Sequence, residues 1–238
     1  MIPARYFLIA GIFYYLFYKH KIDKWKNLKI QKITPSGKQI KSEIVYSLIT
    51  MFIFALVAIL IVIMNRNGVT YMYREINTYG ETYFIFSTLF LIVIHDVYFF
   101  ITHKLMHHRK IYPIVHRIHH LSSNPSPWAA FSFHPIEAFV QIAWIPVVIM
   151  FVPVHYFSIL IWSIFMMIFN VIGHLGYEIF PKRFLDSNFG KIFYTSTFHN
   201  MHHVKNNCNY GLYFIIWDKL LNTIHPNYRQ TYNNIKLK

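Results

Sequence analysis

Ile44 to Met64 is a run of 21 residues without a formal charge, enough helix to cross about 30 Å of hydrocarbon. Inside a bilayer every backbone amide must find its partner within its own segment, so a run of this kind dictates a transmembrane helix. Thr82 to Thr102 is a second stretch of that length, interrupted only by His95-Asp96. Tyr6 to Tyr18 is shorter, at 13 uncharged residues, and needs Arg5 and Lys19 to snorkel if it crosses. Its weak flanking charge and the absence of a small-residue cleavage site favour a retained anchor over a signal peptide. Pro135 to Ile172 is a predominantly apolar stretch of 38 residues with breaks near Pro146 and Pro153, and reads as a helical hairpin. Charged residues are 13% of the chain, about half of the usual soluble share. The expected fold is all-α, a polytopic membrane bundle of helices. Residues 1–81 would carry the N-terminal anchor helices and a basic loop, and 82–238 the functional region.

Basic residues orient the bundle. Of 23 Lys and Arg, twenty fall in segments 19–43, 103–134 and 173–238, and only Arg5, Arg66 and Arg74 fall at the opposite span ends. That asymmetry puts the three basic segments in the cytosol. The net charge of +14 therefore reflects topology and attraction to anionic lipid headgroups, not nucleic-acid binding, since no basic patch stands apart from the spans. One cysteine, Cys208, excludes an internal disulfide and any thiolate-based zinc or iron–sulfur site.

Histidine supplies what cysteine does not. Thirteen of the 15 histidines lie between His95 and His203, mostly in three clusters: His103-Lys-Leu-Met-His107, His116-Arg-Ile-His119-His120 and His199-Asn-Met-His202-His203. Residues three and four apart share a helix face, so each cluster points several imidazoles one way. Neutral imidazole is the commonest ligand for transition metals, and eight clustered donors exceed the needs of one ion. Two metals are expected. A hairpin between His120 and His199 leaves the membrane and returns to the same face, so the clusters meet there. His134 and Glu137 at the hairpin's start and Asn170 and His174 at its end reach that face too. Asp96 lies within about 20° of His103 and His107 on a helix, and either orients an imidazole or sits at a polar helix contact. His95 packs against a neighbouring helix. His20, His108, His155 and His225 read as ordinary core or surface histidines.

These ordered motifs resemble those of the sterol desaturase and fatty acid hydroxylase superfamily, membrane oxygenases with a non-haem di-metal centre. The resemblance spans Asp96 to Thr223. It rests on the three His clusters, Phe133-His134-Pro135-Ile136-Glu137, Asn170-x-x-x-His174, Asn209-Tyr210-Gly211 and Trp217-Asp218-Lys219-Leu220. It implies His103, His107, His116, His119, His120, His174, His199, His202 and His203 as metal ligands of the catalytic centre. It implies His134 and Glu137 as supporting or channel residues, and Asn209, Tyr210, Gly211, Trp217 and Asp218 as structural; Asp96 and Asn170 are expected beside them from their placement. Lys104 stands where the family often has Arg. The implied cofactors are two iron ions, with zinc possible after purification, and dioxygen as co-substrate. The implied reaction is hydroxylation or desaturation of a membrane lipid.

The sequence contains no fused haem domain, dinucleotide motif or iron–sulfur cysteines, so an external ferredoxin, cytochrome or flavin reductase would supply electrons. The Lys-rich face suits an acidic donor. The competing reading is a polytopic zinc-binding transporter or sensor, which would need a polar route across the bilayer. Lys-, Ile- and Asn-rich composition without an endoplasmic-reticulum retrieval signal points to a bacterial inner membrane.

Overall fold

The computed structural model describes residues 2–20 and 22–237; Met1, Lys21 and Lys238, two of them among the basic residues counted above, lie outside the described residues. The chain folds into helices α1 (Ile2–Tyr14), α2 (Gly37–Arg66), α3 (Glu81–Met106), α4 (Arg117–His120), α5 (Pro135–Ile142), α6 (Trp144–Ile149), α7 (Tyr156–Gly173), α8 (Ser196–Lys205), α9 (Ile216–Leu220) and α10 (Tyr228–Lys236), joined by shorter turns. Helices α2, α3 and α7 are long and apolar enough to cross a membrane, and the first two contain the expected spans. Helix α2 starts where Ser36 Oγ accepts the Gln39 amide at 3.2 Å, and α3 starts after Gly80, whose φ of 84° suits glycine. Leu48, Phe52, Leu56 and Ile59 of α2 remain exposed, an apolar stripe suited to lipid and costly in water.

The hairpin's first arm departs from expectation. Instead of a full span it is two short helices, α5 and α6, covering 15 residues from Pro135 to Ile149 and interrupted at Ala143. Pro146 explains the break, because its ring has no N–H and crowds the carbonyl four residues earlier. The arm still reaches the far end of the bundle. There the Tyr71 amide donates to the Ile149 carbonyl at 2.9 Å. Beside it, strands β1 (Met72–Tyr73) and β2 (Val154–His155) pair in parallel. The α2–α3 connection and the hairpin tip therefore share one end, and the His clusters share the other.

Helix α1 also differs from the expectation that Arg5 sits at the far end of a span. Arg5 Nη1 donates to Ser163 Oγ at 2.6 Å, midway along α7, while the Tyr18 hydroxyl reaches the Leu175 carbonyl at 2.8 Å. Thirteen residues give about 20 Å of helix, so α1 flanks only the half of α7 nearest the His clusters. Between α1, α2 and α7 lies a short 3-10 turn, Pro127–Phe131. Its Trp128 carbonyl accepts from Tyr6 and Ser47, and Ser126 donates to the buried Glu43 carboxylate. These bonds pin the segment that follows His120. Tyr6, Phe54, Leu91, Phe131, Trp162 and Met167 form the centre of the main core. A second cluster around Tyr194, Phe198, Tyr228 and Tyr232 packs α8 against α10.

Candidate metal centre

His103 occupies the last turn of α3 and His107 caps its end. His116 precedes α4, His119 and His120 lie on it, His174 caps α7, and α8 carries His199, His202 and His203. Thr195 starts α8 by accepting the Phe198 amide at 3.3 Å. Asn206 ends it in the left-handed region, at φ 63°. Close packing of α7 on α8 depends on Gly173: a Cβ there would lie 2.4 Å from the Tyr194 hydroxyl and 3.1 Å from the His199 ring.

All nine expected imidazoles converge, in two groups. The first comprises His103, His107, His116, His120 and His202, and the second His119, His174, His199 and His203. In the first, Nε2 atoms lie 3.1 Å apart in the pairs His103–His116, His116–His120, His120–His202 and His107–His202. In the second, His174 Nε2 lies 3.3, 3.1 and 3.2 Å from those of His119, His199 and His203. The groups do not follow the sequence clusters. Within each His-x-x-His-His cluster the outer pair, four apart, joins one group and the middle residue joins the other. Positions i+3 and i+4 differ by about 100° around the axis, so one short helix reaches both groups. The two clusters are crossed: α4 sends its pair to the first group and α8 sends its pair to the second.

Hydrogen bonding fixes which nitrogen is free. His103 Nδ1 donates to the Tyr210 carbonyl at 2.8 Å, His202 Nδ1 to Cys208 at 2.7 Å, His174 Nδ1 to Asn170 at 2.7 Å and His119 Nδ1 to Ser132 at 3.3 Å. Glu137 Oε1 meets His116 Nδ1 at 2.7 Å, and burial pushes that carboxyl well above the usual carboxylate range, so either partner can hold the proton. A ring nitrogen facing a carbonyl must carry the proton, which leaves a bare lone pair on Nε2. His119 and His174 thus oppose two lone pairs at 3.3 Å, and His103 and His202 turn bare nitrogens into the first group. Two acceptors cannot bond each other; a cation between them removes the conflict. Protons are a poor substitute. Burial, then the neighbouring imidazoles, hold His116, His119, His199, His202 and His203 well below the ordinary histidine range. Burial first also lowers His120 to about 3 and His174 to about 4. An all-nitrogen, neutral, convergent donor set fits iron, zinc or copper.

The other expected residues divide. Glu137 bonds an imidazole directly, whereas Asn170 does so through its carbonyl and turns its side-chain amide to Met166 Sδ. His134 is half-buried and caps α5, accepting the Ile136 amide at 3.3 Å; it touches no ligand nitrogen, because the residue before a helix-starting proline is set to cap. Asp96 accepts from the Tyr213 amide at 2.8 Å and Trp217 Nε1 at 2.7 Å, so it anchors the loop after α8 rather than an imidazole. His95 stacks on Trp144 and meets the Tyr213 hydroxyl at 2.8 Å. Asp218 gathers the Tyr210 and Gly211 amides and the Thr223 hydroxyl, and Asn209 bonds the Phe198 carbonyl. These loop bonds set the Tyr210 and Cys208 carbonyls against His103 and His202. Sequence reasoning missed Glu178, a buried carboxylate that accepts the Thr197 amide at 2.9 Å and its hydroxyl at 2.7 Å, two residues before His199 in the first turn of α8. Its only sequence signal was an acidic residue in a basic region.

A cavity of about 230 Å³ lies in the membrane half, lined mostly by apolar side chains together with Arg5 and Ser163. It shares Phe54, Phe131, Ile142, Trp162 and Met166 with a small pocket of about 20 Å³ that also touches Phe99 and Phe133. Those two rings lie 4.9 Å from His103 and 5.1 Å from His119, so the pocket ends beside the imidazoles.

Comparison with known proteins follows the same residues. The family model described as fatty acid hydroxylase matches residues 88–223. A Delta(7)-sterol 5(6)-desaturase of Gibberella zeae is 29% identical over 88% of this chain and 61% of its own length. Rattus norvegicus lathosterol oxidase is 25% identical over 90% of the chain and 69% of its own length. A Delta(7)-sterol 5(6)-desaturase of Schizosaccharomyces pombe is 26% identical over 92% and 68%. The chain therefore spans about three fifths to two thirds of these relatives. They are fungal and animal proteins and lend no support to a bacterial location. No solved structure matches. Since the match covers more than half of the sequence and contains all three His clusters and the solitary His174, the chain belongs to the sterol desaturase and fatty acid hydroxylase superfamily.

Proposed function

We propose that this protein is a membrane oxidoreductase that hydroxylates or desaturates a lipid, using two metal ions held by nine histidines. The observation that carries the reading is the set of bare Nε2 lone pairs gathered in each group, those of His103 and His202 in one and of His119 facing His174 in the other. His103, His107, His116, His120 and His202 would hold one ion and His119, His174, His199 and His203 the other. Two irons in this setting supply dioxygen activation and the oxidising power to attack an unactivated C–H bond. The chain's own part is geometric and electrostatic. Backbone carbonyls lock the imidazole tautomers and raise their basicity, and Glu137 holds His116. Neutral ligands leave the centre strongly electrophilic, and burial keeps bulk water away from the reacting bond.

The lipid reading draws on the mostly apolar cavity, on the small pocket that shares part of its wall and reaches Phe99 and Phe133, and on relatives whose names describe sterol desaturation and lathosterol oxidation. In hydroxylation one oxygen of dioxygen enters the substrate and the other leaves as water, consuming two external electrons and two protons. In desaturation the substrate gives up two hydrogens, and dioxygen leaves as two waters with the same external supply. A separate redox protein delivers those electrons at the basic face, which the charge distribution assigns to the cytosol. Lipid mass spectrometry of a host with and without this protein tests the reading. A species gaining one oxygen or losing two hydrogens is expected. Stoichiometric zinc with an unchanged lipid profile would overturn it.

A further inference from the structure

The loop that follows α8 descends to the depth of the spans. Asp96 lies six residues before Thr102, the end of the second uncharged span, and so about 9 Å inside it. Its carboxylate nevertheless accepts the Tyr213 amide at 2.8 Å and Trp217 Nε1 at 2.7 Å. The Tyr213 ring lies 5.6 Å from that of Phe169, four residues before the end of α7. Phe193 lies 5.7 Å from Phe169 and 5.2 Å from Phe214. Residues 187–193 and 213–221 therefore lie beside α3 and α7, below the ends that carry the His clusters. The backbone is equipped for that depth. Asp218 accepts the Tyr210 and Gly211 amides, Asp96 the Tyr213 amide, and the Ile192 carbonyl the Ile215 amide at 2.8 Å. Irregular backbone survives among lipid only when protein groups satisfy it in this way.

The outward side chains match the same surroundings. Phe189 is 69% exposed and Leu220 67%, with Leu221, Ile192 and Ile216 exposed beside them, and this patch continues the apolar surface of the spans. Above it a cavity of about 390 Å³ is lined by Lys191, Lys219 and Arg229 over buried Leu185, Ile215 and Tyr228. Tyr228 meets Thr195 Oγ1 at 3.1 Å, where α8 begins, so the cavity lies between the patch and the His-bearing helix. Asp186 is the one carboxylate in its wall and pairs with Arg229, which leaves the charge of the two lysines uncompensated.

We propose that the patch is seated in the leaflet on the His-cluster side and that the cavity takes the headgroup of an anionic phospholipid. The phosphate faces Lys191 and Lys219, and the acyl chains lie over Phe189 and Leu220. No imidazole lines the cavity, so this lipid is a fixed neighbour and not a substrate, and the proposal stands apart from the lipid-oxidising reading. A soluble acidic protein would suit the lysines but could not reach an apolar patch sunk about 9 Å into a span.

The test uses the full-length protein in nanodiscs of phosphatidylcholine containing phosphatidylglycerol. Nitroxide labels are placed singly at Leu220→Cys, Phe189→Cys and, as the aqueous reference, the exposed Asn207→Cys, each combined with Cys208→Ser. Labels at 220 and 189 are expected to relax more with oxygen than with a water-soluble nickel chelate, and the label at 207 the reverse. Native mass spectrometry is expected to show phosphatidylglycerol retained in preference to phosphatidylcholine. Lys191→Gln and Lys219→Gln should each weaken that preference about fivefold, with metal content unchanged. Labels at 220 and 189 that respond to nickel as the one at 207 does would mark a surface for a soluble partner and overturn the proposal. An undiminished phosphatidylglycerol preference in the double lysine variant would overturn it equally.

Discussion

Buried histidine occurs at both ends of this bundle, and the two ends use it differently. At the hairpin tip, His155 Nδ1 accepts the Phe157 amide at 3.0 Å and Nε2 donates to the Arg74 carbonyl at 2.6 Å. Both nitrogens are spent on backbone, and the residue is a structural tie between β2 and the α2–α3 connection. At the other end four imidazoles spend Nδ1 on a backbone carbonyl and turn a bare Nε2 toward other ring nitrogens. Burial is the same, 2% exposed for His155 and 1% for His174. The difference lies in whether the second nitrogen has a partner. Nitrogen accounting, more than burial or clustering, separates a ligand from a satisfied core histidine.

The sharpest way to break this comparison is to remove one ligand from each group. His119→Ala and His202→Ala should each abolish lipid oxidation and lower bound metal from about two ions per chain to about one, measured by elemental analysis after gentle extraction. Retention of full metal by both variants would show that the grouping is wrong. A smaller effect is expected from Glu137→Gln, which keeps the shape but replaces the carboxyl group behind His116 by an amide. Metal affinity or turnover should drop about 10–100-fold, seen in chelator-competition titrations, with insertion unchanged. The smallest effect belongs to the other end. His155→Leu leaves the Arg74 carbonyl and Phe157 amide unpaired, and should cost about 1–3 kcal/mol of stability in thermal unfolding without altering metal content. Loss of metal from this variant would erase the distinction between the ends.

Much of the site was legible because helical spacing leaves a periodic trace. The His-x-x-His-His clusters gave away their members, and the uncharged runs gave away α2 and α3. His174 had no neighbour to announce it and was reached only through the family resemblance, since a lone histidine at a helix end has no periodicity. The carbonyls of Tyr210, Cys208, Ser132 and Asn170 had no trace at all, because every residue has one. Asp96 shared a helix face with His103, yet the loop amides of Tyr213 and Phe214 claimed it; a shared face sets direction, not partner. Arg5 read as a snorkelling terminus and instead found Ser163 inside the bundle.

By itself the sequence determined that this chain crosses a membrane in helices and carries enough neutral nitrogen donors for two metals, because hydrophobic length and residue spacing are local properties. Tertiary structure alone decided how the donors are shared, with α4 and α8 each splitting between both groups. It also decided which backbone carbonyl fixes each tautomer. Those outcomes depend on helices from distant parts of the chain meeting at particular rotations, and no local pattern encodes that meeting.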